Sequence, residues 1–584
     1  MSDAKKTLVS VLTICAIVAL GCLPLIIHGP QRGEDLHFHL SWSQNFAAQV
    51  FQGEFYPRWL SEMNAGAGSP TFFFYGPIAY YFSTAAIALC PNSSPLVQLG
   101  LGDYFVVLAS ALSFFFFARL HVKHLPAALG AMLYGFAPYH FGMDVLVRQA
   151  FGETAAYIWI PLVLLAIDKV IAGVRAEAGL ALAYALLVMT HLPTALLSSP
   201  FLLAYALVQA WYLERWRPVL RVSLGFAVGL LVAGCYLIPA VTTQQFISAK
   251  QWWTPFFDYF RWYLLDGVTA PNAKIEGQLL EMALGNTLLF ALSWPLALRF
   301  GSKALKPLTV TLMIVFAGCW FFMTPPSSFL WEMMPVLRKI QFPFRFMVLQ
   351  DFAFAAAVAL ALAVLLEQKA QKMIALASAL WLGATLWVGY IAVTNYEPHR
   401  VLMGNVENLE YYEKVTKIGM DGGPHIPTAV TVRRDVLVLS VPAERVKFDE
   451  RLGEVKVLEW RPREIVLDVN LRDESRVLVK QIYYPGWEVV DESTNEKRSI
   501  KPQPKFGLIQ FLARPGEYRV RIRLRALWQE QLGWAATAVG LSLVAISLGW
   551  KFATRRVPIP VPEIAPKIGL TSDRAPSRKK GRAR

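Results

Sequence analysis

Stretches of about twenty consecutive apolar residues recur through the first two thirds of this chain. A helix of that length rises about 30 Å, the thickness of the hydrocarbon core of a bilayer. The composition agrees: of 584 residues 55% are hydrophobic and only 17% charged, against roughly a quarter charged in soluble domains. The chain therefore reads as a polytopic α-helical membrane protein. Its net charge of +15 would suggest nucleic acid in a soluble protein. Here the positive-inside bias of membrane proteins accounts for it, and no nucleic-acid recognition module accompanies the charge.

Charge alternation sets an expected topology. Lys5 and Lys6 place the N-terminus in the cytoplasm, and a first helix over 7–28 carries the chain out. The apolar segment 72–90 is short and broken by Pro77, which reads as juxtamembrane or re-entrant. The basic cluster Arg119, His121, Lys123 and His124 belongs inside, and it gets there only if 72–90 does not cross. Further helices are expected near 97–118, 125–141, 156–173, 178–191, 194–212, 219–240, 277–299, 307–324, 346–366, 373–394 and 530–551. The total is roughly twelve spans, with both termini cytoplasmic.

Within that frame, residues 1–395 form a transmembrane module whose first external loop is 29–96. Between 396 and 527 the pattern changes to period-two alternation, seen in 454–460, 464–469 and 518–524, which marks half-buried strands. Tyr484-Pro485-Gly486-Trp487 and Arg514-Pro515-Gly516 punctuate them as turns. This predicts an external β-rich domain, tethered by a last helix over 528–552. Residues 553–584 are basic, Pro-rich and poor in apolar residues, and read as a disordered cytoplasmic tail. The cysteines, Cys15, Cys22, Cys90, Cys235 and Cys319, sit in or beside apolar runs without CxxC spacing. They read as small buried hydrophobes rather than disulfide or metal ligands.

Candidate chemistry gathers near the first loop. Glu34 and Asp35 stand just past the first helix, followed by His37 and His39. An external carboxylate is either a solvated loop flank or a general base for an acceptor hydroxyl. The i, i+2 spacing of the histidines does not put them on one helical face, so spacing alone does not support a metal site. Arg58 beside Trp59 either holds a phosphate or snorkels at the interface. Arg148 and Glu153 either pair with each other or face a cavity, since charges near a membrane are costly. His191 lies between two apolar runs and reads as a packed histidine or a functional one. Asp258, Arg261 and Asp266 lie among aromatics, which suits a sugar-binding wall or an interfacial helix. No Walker A loop or Rossmann glycine pattern occurs. Chemistry outside the cell would then need a donor already carried there, such as a lipid-phosphate-linked sugar.

Several short motifs run in order along the chain. They are Asp35-Leu36-His37, Tyr56-Pro57-Arg58-Trp59, Gly66-Ala67-Gly68-Ser69-Pro70 with Phe74-Tyr75-Gly76-Pro77, Arg148 with Glu153, Thr190-His191-Leu192-Pro193, Gln341-Phe342-Pro343-Phe344-Arg345-Phe346 and Tyr484-Pro485-Gly486-Trp487. In these the chain resembles the GT-C superfamily of membrane glycosyltransferases. More closely it resembles the bacterial integral membrane family called "6-pyruvoyl-tetrahydropterin synthase-related". The resemblance implies a GT-C-like enzyme in the inner (cytoplasmic) membrane of a bacterium, acting on its external, periplasmic face. It would use a polyprenyl-phosphate-linked sugar and a glycan or lipid acceptor of the cell envelope. It implies Asp35 as the catalytic base, with Glu34 as runner-up. His37, Arg58, Tyr75, Arg148, Glu153, His191 and Arg345 would bind substrate. No cofactor is implied, and a divalent metal is left open. The Trp-Trp-Asp motif of oligosaccharyltransferases is absent, which speaks against protein N-glycosylation. The pterin name carries no zinc-binding histidine set here. The rivals are a transporter or flippase and a noncatalytic envelope assembly protein. Convergence of Asp35, Arg148, His191 and Arg345 on one cavity would favour the enzyme, and scatter would favour a scaffold.

Overall fold

The structure is a computed structural model that describes residues 2–30, 33–249, 255–266, 273–369, 371–372, 414, 418–419 and 421–553. Among these residues eight helices are long and apolar enough to cross a membrane, and nine if one bent pair is a single span. They are Asp3–Gly21, Pro95–Ala118, Phe151–Ile171, Leu192–Tyr212, Ile275–Phe300, Lys303–Phe322, Pro343–Glu367 and Trp528–Gly549, with Arg217–Val232 and Gly234–Thr242 as the bent pair. The expected span 373–394 and the tail 554–584 lie outside the described residues, and twelve spans are not reached within them.

Four expected spans differ: 178–191 is the helix Glu177–Thr190, apolar but of only 14 residues, and the other three depart for a local reason. The stretch 125–141 is not one helix: His124–Gly135 ends, Ala137 is extended, and a π-helical segment Pro138–Arg148 follows. Pro138 lacks an N–H and bars the preceding residue from helical backbone angles. The first helix breaks at Cys22, ahead of Pro24. The stretch 219–240 bends by 70° between Val232 and Gly234. At that bend a Cβ on Gly234 would lie 2.8 Å from Ala536 Cβ, and one on Gly533 would lie 2.7 Å from Gly234 O. Small residues therefore let the bend and the last helix touch backbone to backbone. The segment 72–90 contains only the helices Thr71–Phe74 and Ile78–Leu89, and the second is apolar but short.

The C-terminal domain is antiparallel throughout. Strands β1 (Val446–Lys447), β4 (Ser475–Ile482) and β7 (Leu508–Ala513) form one sheet in the order β1-β4-β7. The other sheet is β2 (Gly453–Arg461), β3 (Glu464–Leu471), β8 (Gly516–Leu524), β5 (Trp487–Asp491) and β6 (Glu496–Arg498), in the order β2-β3-β8-β5-β6. Alternation does the sorting. Ile465, Leu467, Val469, Val520 and Ile522 turn inward and are buried. The intervening Arg521 and Arg523 turn outward and pair with Glu464, Glu492 and Glu488.

The core of this domain continues into the first long loop. Trp59, Phe73 and Phe74 belong to the same apolar cluster as the strands. Trp59 Nε1 donates to Gln481 Oε1 at 2.8 Å, Gln481 Nε2 donates to the Gly66 carbonyl at 2.9 Å, and Ile482 N donates to the Ala67 carbonyl at 2.7 Å. The turn Tyr484–Trp487 packs its two aromatic rings about 6 Å from Trp59. Loop and β domain are thus one packed body.

Candidate functional site

The loop Gly33–Asp35 leads into the helix Leu36–Phe51. Residue 33 has to be glycine, because a Cβ there would come within 2.5 Å of Gln149 Cβ. That close seat lets Asp35 N donate to the Arg148 carbonyl at 2.9 Å. Along the following helix, Phe38, His39 and Trp42 recur at three- and four-residue spacing and share a face. That face opens on a cavity of about 820 Å³.

The charged lining of the cavity comes from three distant segments. Arg148 Nη1 donates to Asp144 Oδ1 at 2.8 Å, to Glu153 Oε2 at 3.2 Å and to the Tyr139 hydroxyl at 3.0 Å. Tyr139 in turn donates to Glu153 Oε1 at 2.9 Å. Arg345 Nε donates to Glu153 Oε2 at 3.1 Å, and its Nη1 donates to the Ile340 carbonyl at 2.6 Å. The guanidinium of Arg148 lies 5.4 Å from the ring centre of Phe344, and that of Arg345 lies 4.9 Å from Phe342. Glu153, only 1% exposed, is shared by both arginines and aims them. Buried charges of this kind are tolerated when paired and hydrogen-bonded.

A second wall comes from residues 421–425. Asp421, fully buried, accepts from Trp42 Nε1 at 3.1 Å, from Gly422 N at 2.8 Å, from Thr71 Oγ1 at 3.2 Å and from the Ser69 hydroxyl. These bonds place Gly422, Pro424 and His425 against the cavity. A third wall is apolar and includes Leu192, Leu196, Leu237, Val241, Phe256 and Ile275.

Of the residues chosen from sequence, Glu34, Asp35, Tyr75, Arg148, His191 and Arg345 line this cavity. Three do not. Glu153 sits behind the arginines. His37 is half-buried beside Phe38, with ring centres 3.8 Å apart. Arg58 is elsewhere: its Nη1 donates to Glu530 at 2.8 Å and its Nη2 to the Cys235 carbonyl at 2.6 Å. The expected sugar wall of Asp258, Arg261 and Asp266 contributes none of those charges, although the neighbouring Phe256, Phe257 and Trp262 do line the cavity.

The loop carboxylates and imidazoles carry shifted protonation. Burial pushes Asp35 above the usual carboxylate range, and Arg148 and Arg345 pull part of the way back. Glu34, though exposed at its surface, is nudged up by partial desolvation, with Arg148 opposing and Asp35 adding to the rise. Burial drives His39 down to about 3 and His37 down to about 4, the latter helped by Arg434. Both imidazoles are therefore neutral, so neither offers the cation a phosphate would need. His39 instead shares a 2.7 Å hydrogen bond with the Tyr80 hydroxyl, and His191 shares one of 2.7 Å with Thr194. Among the described residues no group of three or more His, Cys, Asp or Glu side chains could hold a metal ion.

Sequence reasoning missed Asp144, Tyr139, Trp42, Asp421 and His425. Asp144 was within reach, since it stands four residues before Arg148 where helical neighbours meet. Asp421 was not, because the side chains that donate to it, Trp42, Ser69 and Thr71, lie more than 340 residues away.

The sequence matches no protein-family model and no curated protein, so the pterin-synthase-related family is not confirmed. Among solved structures the chain is similar to the arabinofuranosyltransferase AftD from mycobacteria. Identity there is 17% over 66% of this chain and 27% of that one, with a TM-score of 0.42. It is also similar to the Archaeoglobus fulgidus oligosaccharyltransferase in its apo form. Identity there is 12% over 70% of this chain and 59% of that one, with a TM-score of 0.40. The chain thus spans less than two thirds of either protein.

Proposed function

We propose that this protein is a GT-C-type membrane glycosyltransferase of a bacterial inner membrane. In this reading it moves a sugar from a polyprenyl-phosphate-linked donor to a glycan or lipid acceptor of the cell envelope. The loop 29–96 and the β domain 396–527 face outward, and both termini lie in the cytoplasm. The carrying observation is that Asp35, Arg148, His191 and Arg345, far apart in sequence, line one cavity. A scaffold has no need of such convergence. The cavity lining is also mixed: carboxylates and guanidinium groups stand together with aliphatic and aromatic side chains. A lipid-linked phosphate calls for both kinds of lining, and the volume lies in the range of ligand sites.

The step balances as an inverting displacement. The acceptor hydroxyl oxygen attacks the anomeric carbon while Asp35 takes its proton. A carboxylate raised by burial is a better base than a solvated one. The bond from the anomeric carbon to the phosphate oxygen breaks, and the lipid phosphate leaves with the electron pair. Arg148 and Arg345, fixed in advance by Glu153, stabilise the charge that grows there. Tyr75 and His191 border the same space as neutral hydrogen-bonding groups.

The test is Asp35→Asn in purified protein, assayed for transfer from a panel of polyprenyl-phosphate monosaccharides to an envelope glycan extract. The expected result is a loss of about 100-fold or more. Transfer at the wild-type rate would remove Asp35 as the base.

A further inference from the structure

Asp103 lies within the apolar helix Pro95–Ala118 and is fully buried. A carboxylate in such a place is costly and calls for a purpose. Its side-chain partner is an amide: Gln149 Nε2 donates to both Asp103 oxygens, at 3.0 and 2.9 Å. Gln149 is equally buried, and its backbone is left-handed, with φ 57° and ψ 46°. Residues other than glycine rarely adopt that conformation, and it persists only where the surroundings hold it.

What the left-handed turn holds up is the charged lining of the cavity. Arg148 directly precedes it. The Arg148 carbonyl accepts the Asp35 N–H, and Gly33 rests against the Gln149 side chain. We propose that Asp103 is a positioning residue: by gripping Gln149 it locks the turn that aims Arg148 and seats Asp35. Without that grip, residue 149 relaxes toward the right-handed region, the Arg148 carbonyl swings away, and Asp35 loses its backbone anchor. The effect on rate rests on the transferase reading above. The effect on the turn does not.

Three variants test this. Asp103→Leu removes both acceptors and is expected to lower kcat by about 30-fold or more, with the donor KM changed less than about three-fold. Asp103→Asn is expected to restore kcat to within about three-fold of wild type. Its carboxamide oxygen still accepts from Gln149 Nε2, and its NH2 can donate to Gln149 Oε1, a buried atom with no partner in the wild type. Gln149→Gly keeps the turn accessible but removes the grip, and a loss of about ten-fold is expected; it also serves if Asp103→Leu does not fold. A purely structural role would lower the melting temperature of Asp103→Leu and Gln149→Gly while leaving kcat of the folded protein intact, and that result overturns the proposal. Cryo-electron microscopy of Asp103→Leu supplies a readout free of activity. Loss of the Asp35 N to Arg148 O hydrogen bond is expected. An intact turn sinks the proposal even if the enzyme works, and a lost turn supports it even if no donor is ever turned over.

Discussion

Two buried arginine clusters in this molecule look alike in sequence and differ in kind. Arg58 and the pair Arg148 and Arg345 all stand beside aromatics, and all are less than 10% exposed. Arg58 lies 4.2 Å from the ring centre of Tyr56 and 5.4 Å from that of Trp534. Both its amino groups are spent on protein, one on Glu530 and one on the Cys235 carbonyl. Glu530 also accepts from Arg463, at 3.0 Å to Nη2. That cluster bolts together the first loop, the bent helix pair, the β domain and the last helix. Arg148 and Arg345 share one glutamate but border an open cavity. The same residue type is a strut where protein surrounds it and, in the reading proposed above, a ligand contact where one edge meets space.

That contrast breaks most sharply at the cavity. Arg148→Lys or Arg345→Lys keeps a charge for Glu153 but loses the planar fork and the stacking on Phe344 or Phe342. Each is expected to cut sugar transfer by about 100-fold, with the protein still folded by thermal denaturation in detergent. Transfer within a few-fold of wild type would make these arginines struts as well. Arg58→Met should do the reverse. It leaves Glu530 with one partner fewer in a buried site and is expected to cost about 3 kcal/mol of stability. Transfer per folded molecule should stay within about two-fold of wild type. A large loss of transfer at full stability would return Arg58 to the substrate.

The smallest effect concerns pH. His39 is held at about 3 in the folded protein, against an ordinary value of 6.5. As pH falls below 6.5 the unfolded chain takes up this proton first. Stability is therefore lost progressively from there down to about 3, where the folded state titrates as well. At about pH 5 the gap is worth about 2 kcal/mol. His39→Gln, which keeps a partner for Tyr80, should flatten that part of the stability profile. An unchanged acid slope would place the sensitivity elsewhere.

How much was legible in the sequence follows the range of each interaction. Strands β2, β3 and β8 lie where alternation put them, because inward and outward facing is decided residue by residue. Long apolar helices were legible for the same reason. The break after Gly135 was missed although Pro138 announced it, since hydrophobic content alone did not register the lost N–H. In the site, Asp35 could be picked as an acid near a membrane, but nothing local said that it hangs from the Arg148 carbonyl. Asp103 did carry a signal that went unread, a lone charge in an apolar run, whereas Gln149 gave none, being an ordinary amide.

By itself, then, the sequence determined a helical membrane chain with a β domain near its end. Lipid thickness and the strand pleat impose periods that any twenty- or eight-residue window displays. Only the tertiary structure decided which charges meet. Packing brings residues 35, 148, 191 and 345 to one cavity and sends Arg58 to another place. Helix composition cannot encode that choice, because a buried charge is stable wherever a partner happens to face it, and the partners are hundreds of residues away.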